Sequence, residues 1–567
     1  MMKKIKITAV FGVLLIGISL VLLWSNNSIQ AQEANAIPWI TGNVYDKQNQ
    51  PVEDAHVFLL EGEEDLPLAE ANTQEDGRYT LAVPEDPPEN LVVHFERAHF
   101  KDSNLTLSEG IAESLRLGKT LVVPDVHLER QIDPAFWIAT IIFIIMLVFI
   151  ATDIFHNTHS ALIGAALLYL ISYLGRPLHE GLFIFDFESS LNYIDWNVIF
   201  LIMGMMIVIA VVENTGIFQW LAFFAYRISG GRMWLLLSVL MLITGVASAF
   251  LDNVTTMLLM TPITVQIAIS LGINPLALLM PEIFASNVIG VSTLVGTPTN
   301  ILIGSYGNIS FNGFLQNLTP GVLIAFVGLV VYSWFIYRVE LSQAHGASEL
   351  LLQKLEERGQ ITEPIHLKKA GWVGFGMIIL FVFGEQIHLL PAVTAIIGAT
   401  ALMTWIRPNI DEMINAVDWT TLVFFMSLFI VVGAIQEVGL ISFIADGIGR
   451  LVGENLTLAM LAVIWLGAIL SMVIANIPFT AAMLPVVGFL TATIPGAESK
   501  TLFFCLSVGS AMGGNGSLIG ASANLITAGI SEGAGYPITY AYFLKKGFPA
   551  MLITVGLSSL WLLLRFG

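Results

Sequence analysis

The apolar half of this chain is written twice. From Trp196 a glycine follows at Gly216, an asparagine at Asn253 and a proline at Pro262; from Trp419 the same residue types return at the same separations as Gly439, Asn476 and Pro485. A further pair, GTPTN at Gly296–Asn300 and GASAN at Gly520–Asn524, is displaced by a single residue. Each copy therefore sets two asparagine-centred polar breaks inside apolar sequence. Lipid cannot hydrogen-bond an unwound peptide group, so such breaks are tolerated at membrane depth only where protein buries them or they line a cavity. Matched interruptions in two halves are the sequence mark of a secondary transporter's binding site.

The composition agrees with a membrane-spanning chain: 56% of the 567 residues are hydrophobic, 12% are charged and the mean hydropathy is +0.78, where soluble domains carry about 25% charged residues. The one cysteine, Cys505, has no partner in the sequence, which excludes a disulfide framework and a thiolate metal site. The net charge of −19 is concentrated between Pro38 and Asp133, with about 20 acidic against 7 basic residues. Such a face repels phosphate, so nucleic acid is excluded as a partner.

Lys3, Lys4 and Lys6 precede an apolar run from Ile7 to Trp24, which predicts a signal peptide or uncleaved signal anchor over residues 1–31. Its basic start is expected to stay in the cytoplasm and the following segment to be exported. Residues 37–132 switch to short alternating strands with Asp76-Gly77 and Pro-rich turns, predicting a small all-β sandwich outside the cytoplasm. Its His94, His99 and His127 have no close ligand spacing and read as surface or strand residues rather than a metal site.

Apolar segments long enough to cross a bilayer occur near 136–153, 158–175, 193–213, 232–251, 320–338, 371–388, 417–437, 457–475 and 548–566. Shorter or Gly/Pro-interrupted pieces near 216–229, 254–270, 275–290, 294–306, 391–405, 440–452, 477–493, 501–513 and 516–530 are candidates for half-helices and re-entrant hairpins. The fold expected is a polytopic α-helical membrane protein of two repeats, 135–338 and 371–567, joined by a linker over 339–370. Lys354, Arg358, Lys368 and Lys369, with Arg338 at the edge, assign that linker to the cytoplasm. Copy one then crosses an odd number of times, and copy two must be inverted. The last helix of copy one ends at Arg338, whereas that of copy two follows Lys545 and Lys546, the reversal an inverted repeat requires.

The first break holds Asp252, Asn253, Thr255 and Thr256, and its counterpart Asn476, Pro478 and Thr480. The second holds Gly296, Thr297, Thr299 and Asn300, against Asn515, Gly520, Ser522 and Asn524. Carboxylate, amide and hydroxyl oxygens with freed carbonyls suit a hard cation, making Asn253, Asn300, Asn476 and Asn524 candidate Na⁺ ligands, while N–H groups at half-helix starts suit an anion. Pro298 and Pro478 are expected to break helices. No GK[ST] follows the glycines, so this is not a phosphate loop. Glu282, an acid at membrane depth, is a candidate proton carrier. Glu213 and Glu437 fall at helix ends and are expected at the interface. Asp195 and Asp418 read as helix caps beside the interfacial anchors Trp196 and Trp419.

LDNVTTMLLMTP, NIPFTAAMLP and GGNGSLIGASAN closely resemble the ion-transporter superfamily of citrate transporter-like permeases, in the branch of the melanosomal P protein and the arsenite permeases. GTPTN is closer to the GTPPN of the divalent anion/sodium symporters. The resemblance spans about 135–567 and implies a secondary transporter with a site between two hairpins, coupled to Na⁺ or H⁺ or driven by the membrane potential. The strand segment resembles the carboxypeptidase regulatory-like sandwiches, which implies an accessory module whose ligand is open. P-protein-like members often carry Asp where this chain has Ala475 and Thr297, so only Asp252 keeps a carboxylate at the breaks. Fewer fixed negative charges favour an anion.

The expectation is an alternating-access carrier of a small inorganic or organic ion, most simply a carboxylate or an oxyanion such as arsenite. It sits in the plasma or inner membrane, with Na⁺ or H⁺ as coupling ion and no other cofactor. A Na⁺/H⁺ antiporter using Asp252, a passive anion channel on the same scaffold and a ligand sensor are the rivals; the oligomeric state, a homodimer included, is open. No nucleophile–base pair, metal cluster or cofactor loop points to an enzyme.

Overall fold

The computed structural model describes residues 38–343 and 360–567, apart from 48, 63–65, 85–86, 108–110, 117–118 and 153. The expected signal segment and most of the expected linker, Lys354 and Arg358 included, lie outside the described residues. The chain divides into two compact units between Gln131 and Ile132.

The first unit is the expected sandwich. One sheet joins β1 (Trp39–Asp46) to β4 (Arg78–Ala82) on one side and to β7 (Leu121–Val122) and β8 (Val126–Leu128) in parallel on the other. The second runs in the order β3 (Ala69–Asn72), β2 (His56–Glu61), β5 (Leu91–Glu96), β6 (Ser103–Thr106). Alternate residues point inward, so Ile40 and Val44 meet Val57, Leu59, Leu81, Val93 and Phe95 in one core. A short helix, α1 (Ile111–Arg116), lies between β6 and β7. Gly77 turns the chain at φ 76°, and a side chain there would meet the Val44 carbonyl at 2.5 Å. His94 bonds Asn104 and His127 bonds Asn49. His99 departs from the expectation: it is buried, with left-handed backbone.

The second unit is helical, and its two halves carry the same elements. The first has α2 (Pro134–Thr152), α3 (Asn157–Gly175), α4 (Phe187–Asn192), α5 (Trp196–Glu213), α6 (Ile217–Ser229), α7 (Met233–Phe250), α8 (Asn253–Ser270), α9 (Leu276–Gly290), α10 (Pro298–Tyr306) and α11 (Phe311–Ser342). The second repeats them as α12 (Pro364–Phe383), α13 (Pro391–Ile406), α14 (Ile410–Asn415), α15 (Trp419–Glu437), α16 (Leu440–Val452), α17 (Leu456–Val473), α18 (Asn476–Thr493), α19 (Thr501–Gly513), α20 (Ser522–Gly533) and α21 (Tyr540–Phe566). Among the described residues, 11 helices are long and apolar enough to cross a membrane. The glycines of the repeat have a backbone reason: Gly216 and Gly439 open α6 and α16 at φ 78° and 86°, where a Cβ is disfavoured. Asp195 and Asp418 cap α5 and α15.

Three expectations change. Residues 254–270 and 477–493 are not half-helices: α8 and α18 are continuous 18-residue helices with Pro262 and Pro485 inside them. Pro298 and Pro478 do not interrupt helices either. They lie in the first turns of α10 and α18, where the missing N–H would have no intrahelical partner. The closing helices are longer than expected, so Arg338 falls inside α11 and Lys545 and Lys546 inside α21.

The halves pack reciprocally. Helix α3 lies on α15 as α13 lies on α5, and α8 lies on α20 as α18 lies on α10. Small residues permit the close approaches: a Cβ on Gly204 would meet Ala395 at 2.9 Å, and one on Gly164 would meet Val431 at 3.2 Å. Helices α11 and α21, equivalent in the two halves, run antiparallel. Asn317 O accepts from Trp561 Nε1 at 2.7 Å near one end, and Tyr332 O–H donates to Lys546 O at 2.7 Å towards the other.

Candidate functional site

Each half pauses in extended backbone between two helices, at Leu251-Asp252 and at Ile474-Ala475. Asp252 ends the first pause as the cap of α8, accepting from Thr255 N at 2.8 Å and Thr255 Oγ1 at 2.6 Å. Ala475 gives α18 no side-chain cap. Thr480 donates to the Asn476 carbonyl at 2.7 Å.

The second breaks are built by one duplicated design. A Cβ at Gly296 would strike Gly290 O at 2.4 Å and Ser248 O at 2.8 Å; at Gly520 it would strike Gly514 O at 2.8 Å and Ser471 O at 3.1 Å. Hydroxyls clamp both turns to the ends of α7 and α17, Thr293 to Ala249 O and Ser517 to Met472 O. Both closing asparagines tie the turn with Nδ2: Asn300 donates to Val291 O at 2.9 Å and Thr293 O at 2.7 Å, and Asn524 to Gly514 O and Ser517 O, both at 2.9 Å. Thr297 caps α10 and bonds Thr299 at 3.0 Å, whereas α20 starts from Ala521 without a cap, with Ser522 its half-buried first residue. The single-residue offset between the copies is the net of a connection two residues longer in the second half, 494–500 against 271–275, and a span from the next helix start to the turn that is one residue shorter.

One residue not expected from the sequence gathers the asparagines. Asn287, inside α9, accepts from Asn253 Nδ2 at 2.8 Å and donates to Asn515 Oδ1 at 2.9 Å and Asn524 Oδ1 at 3.1 Å. Four amides from both halves thus form one buried network, each at most 3% exposed. Asn300 stays outside it, its Oδ1 taken by Ser507 at 2.5 Å. Asn476 stays outside as well. The counterpart of Asn287 in α19 is Ala511, which offers no partner, and among the described residues none bonds the Asn476 side-chain amide. Thr256 Oγ1 is likewise buried without a partner. An asparagine in mid-helix with an alanine as repeat mate was the available signal for Asn287.

Glu282 is fully buried on α9, bonded through Oε1 to Thr244. Glu213 and Glu437 close α5 and α15, and Glu437 accepts from Tyr193 O–H. Among the described residues no group of three or more His, Cys, Asp or Glu could hold a metal ion.

Two interlocked helical halves, with buried polar breaks where they meet, define a multi-pass membrane transporter. Residues 142–509 match the citrate transporter family, CitMHS. An uncharacterized transporter of Mycobacterium bovis is 35% identical over 430 residues, which cover 76% of this chain and 98% of that one. One from Synechocystis sp. is 31% identical over 442 residues, covering 74% and 95%. The human P protein is 30% identical over 538 residues, covering 80% of this chain and 63% of the P protein. The solved YdaH transporter of Alcanivorax borkumensis shares 16% identity at a TM-score of 0.46, over 64% of this chain and 84% of that one. The chain belongs to the citrate transporter family; it is a transporter, not an enzyme.

Proposed function

We propose that the chain is a secondary active carrier of a small anion, a carboxylate or an oxyanion such as arsenite, coupled to Na⁺ or H⁺ and working by alternating access. One observation carries this reading: at the breaks themselves, the side-chain groups that find no partner among the described residues are neutral, the Asn476 amide and the Thr256 hydroxyl. The one carboxylate at the breaks, Asp252, is engaged in capping α8. A site offering free N–H and O–H donors, with the oxygens of its one carboxylate already held by Thr255, suits an anion. The name of the family favours a carboxylate within that class.

The two halves are inserted in opposite senses, a reading supported by the antiparallel run of α11 against α21. The sandwich then lies outside the cytoplasm on the cell membrane as an accessory module. Counterflow in proteoliposomes tests the function, with citrate, other carboxylates, arsenite, other oxyanions and Na⁺ as candidates. Asn476→Ala should abolish anion exchange while leaving the fold intact, and deletion of 37–132 should leave exchange unchanged. Wild-type exchange in both Asn253→Ala and Asn476→Ala would place the site elsewhere. Asp252 supports a second reading, because it is the one carboxylate at the breaks. If Asp252→Asn abolishes Na⁺-driven proton movement and no anion exchanges, the chain is a Na⁺/H⁺ antiporter.

A further inference from the structure

One buried acid takes no part in the amide network. Glu282 precedes Asn287 on α9 by about 7.5 Å, at about 1.5 Å of rise per residue, and is fully buried. Its Oε1 accepts from Thr244 Oγ1 of α7 at 3.1 Å. Thr264 Oγ1 of α8 is brought up to the same carboxyl, although among the described residues neither it nor Oε2 makes a hydrogen bond of normal geometry. Helices α7 and α8 carry no ionisable residue. Of the other helices against α9, α11 carries Tyr332, Tyr337, Arg338 and Glu340 late in its length, and α21 directs Lys546 at the Tyr337 ring, 5.1 Å away. Helix α21 also carries Tyr540, Tyr542, Lys545 and Arg565, α19 carries Cys505 and α20 carries Glu532, and none of these groups is among the interactions of Glu282.

A carboxylate anion held by neutral hydroxyls alone in an apolar interior is strongly disfavoured. Thr264 Oγ1 can pair with Oε2 in either protonation state, as acceptor from the acid or donor to the anion, so what favours the neutral acid is its surroundings: full burial, neutral hydroxyls and no cation among its interactions. One turn further along α9, Ser286 donates to Ser248 of α7 at 3.0 Å. Ser248 Oγ and the Thr297 methyl each lie within 3.1 Å of where a Gly290 Cβ would stand, so this pair of serines abuts the break. In the second half the equivalents of Glu282, Thr244 and Thr264 are Leu506, Gly467 and Val487, so the acid and both of its partners are lost together.

We propose that Glu282 carries the coupling proton of the transport cycle. It is held as a neutral acid in the conformation seen here. When the interface of α7, α8 and α9 opens, it releases its proton to water. The transport consequence rests on the carrier reading above; the titration does not.

Infrared difference spectroscopy of the full chain in lipid, across a pH titration, tests the titration. The wild type should show the carbonyl stretch of a buried protonated carboxyl that disappears as pH rises, and Glu282→Gln should lack it. Glutamine can accept from Thr244 and donate to Thr264, so the variant should unfold at the wild-type temperature. If it does not fold, Thr264→Val, which keeps the acid but removes the acceptor of its proton, should shift the band. An identical spectrum in Glu282→Gln, a band that never titrates or a band unmoved in Thr264→Val overturns the proposal. With the anion found by counterflow, Glu282→Gln should keep exchange and lose accumulation driven by a pH gradient. Retained proton-driven accumulation overturns it too. A failed counterflow screen would remove the carrier reading and leave the spectroscopic result to decide this one.

Discussion

Asn287→Ala is the most demanding test of how the two halves are joined. The substitution removes three hydrogen bonds, from Asn253 and to Asn515 and Asn524. Alanine fits the backbone, since Ala511 occupies the equivalent place in α19, so the loss reports bonding rather than shape. Polar pairs between membrane helices average about 0.6 kcal/mol and reach about 1.7. Three of them set the expected destabilisation at about 2 kcal/mol, rising to about 5 if every pair sits at the upper end. Equilibrium unfolding in mixed micelles measures it, and double-mutant cycles apportion it. Asn287 with Asn524, and Asn287 with Asn253, should each show a coupling of about 0.6 kcal/mol or more. Asn287 with Ser172, which is bonded instead to Phe185 O and Ile184 N, should be additive within about 0.5 kcal/mol. Asn476→Ala, which removes no side-chain bond, should change stability by less than about 0.5 kcal/mol. A loss below that figure for Asn287→Ala, or no coupling in either cycle, would refute the network as the joint between the halves.

Gly296→Ala should prevent assembly, because its Cβ would meet the Gly290 carbonyl at 2.4 Å and backbone cannot move aside; Gly374→Ala, with nothing within 4 Å, should be neutral, and monodispersity after extraction distinguishes them. Ala475→Asp should supply the cap that Asp252 gives α8, raising stability by about 1 kcal/mol while slowing anion exchange through the added charge; faster exchange would contradict an anion site. In the sandwich, Lys47 at 2.6 Å and Lys101 at 2.9 Å hold the Glu129 carboxyl down from 4.5 to about 2. Its contribution is therefore complete above about pH 4.5 and is lost as pH falls towards 2. Glu129→Gln should flatten acid unfolding in that window, and an unchanged acid limb would contradict the pairing.

Helix positions were legible because hydropathy and caps act locally. The run expected at 158–175 is Asn157–Gly175, and Asp195 and Asp418 cap the helices they were expected to start. The prolines misled because their effect depends on position rather than presence. Pro298 follows the capping Thr297, an arrangement that starts a helix, and Pro262 and Pro485 sit inside helices that continue through them. Asp252 likewise stood before a helix with Thr255 three residues on, the pattern of a cap. Asn287 was not legible as a site residue, because its partners come from α8, from the turn at Asn515 and from α20. No local pattern encodes a contact across more than two hundred residues of chain.

The two halves divide their labour in a way their sequences state once the contacts are known. Residues that fix backbone are duplicated: Gly296 with Gly520, Asn300 with Asn524, and Ser248 with Ser471 stand in matching roles. Asn253 and Asn476 recur as well, but three polar residues around them are single: Asp252 faces Ala475, Glu282 faces Leu506, and Asn287 faces Ala511. Duplication of the backbone set follows from the scaffold, because reciprocal packing demands the same close approach twice. Nothing in the packing demands the polar set twice. A second Glu282 in place of Leu506 would bury another acid without the threonine partners that Gly467 and Val487 cannot provide. The asymmetry therefore falls where chemistry rather than geometry is decided, and exchanging Asn287 with Ala511 in a double variant would test it. If the network merely holds the halves together, transplanting the asparagine should restore stability. If the single copy fixes which asparagine meets the ligand, the exchange should instead transfer the unspent amide from Asn476 to Asn253, and with it the sensitivity of exchange to alanine substitution.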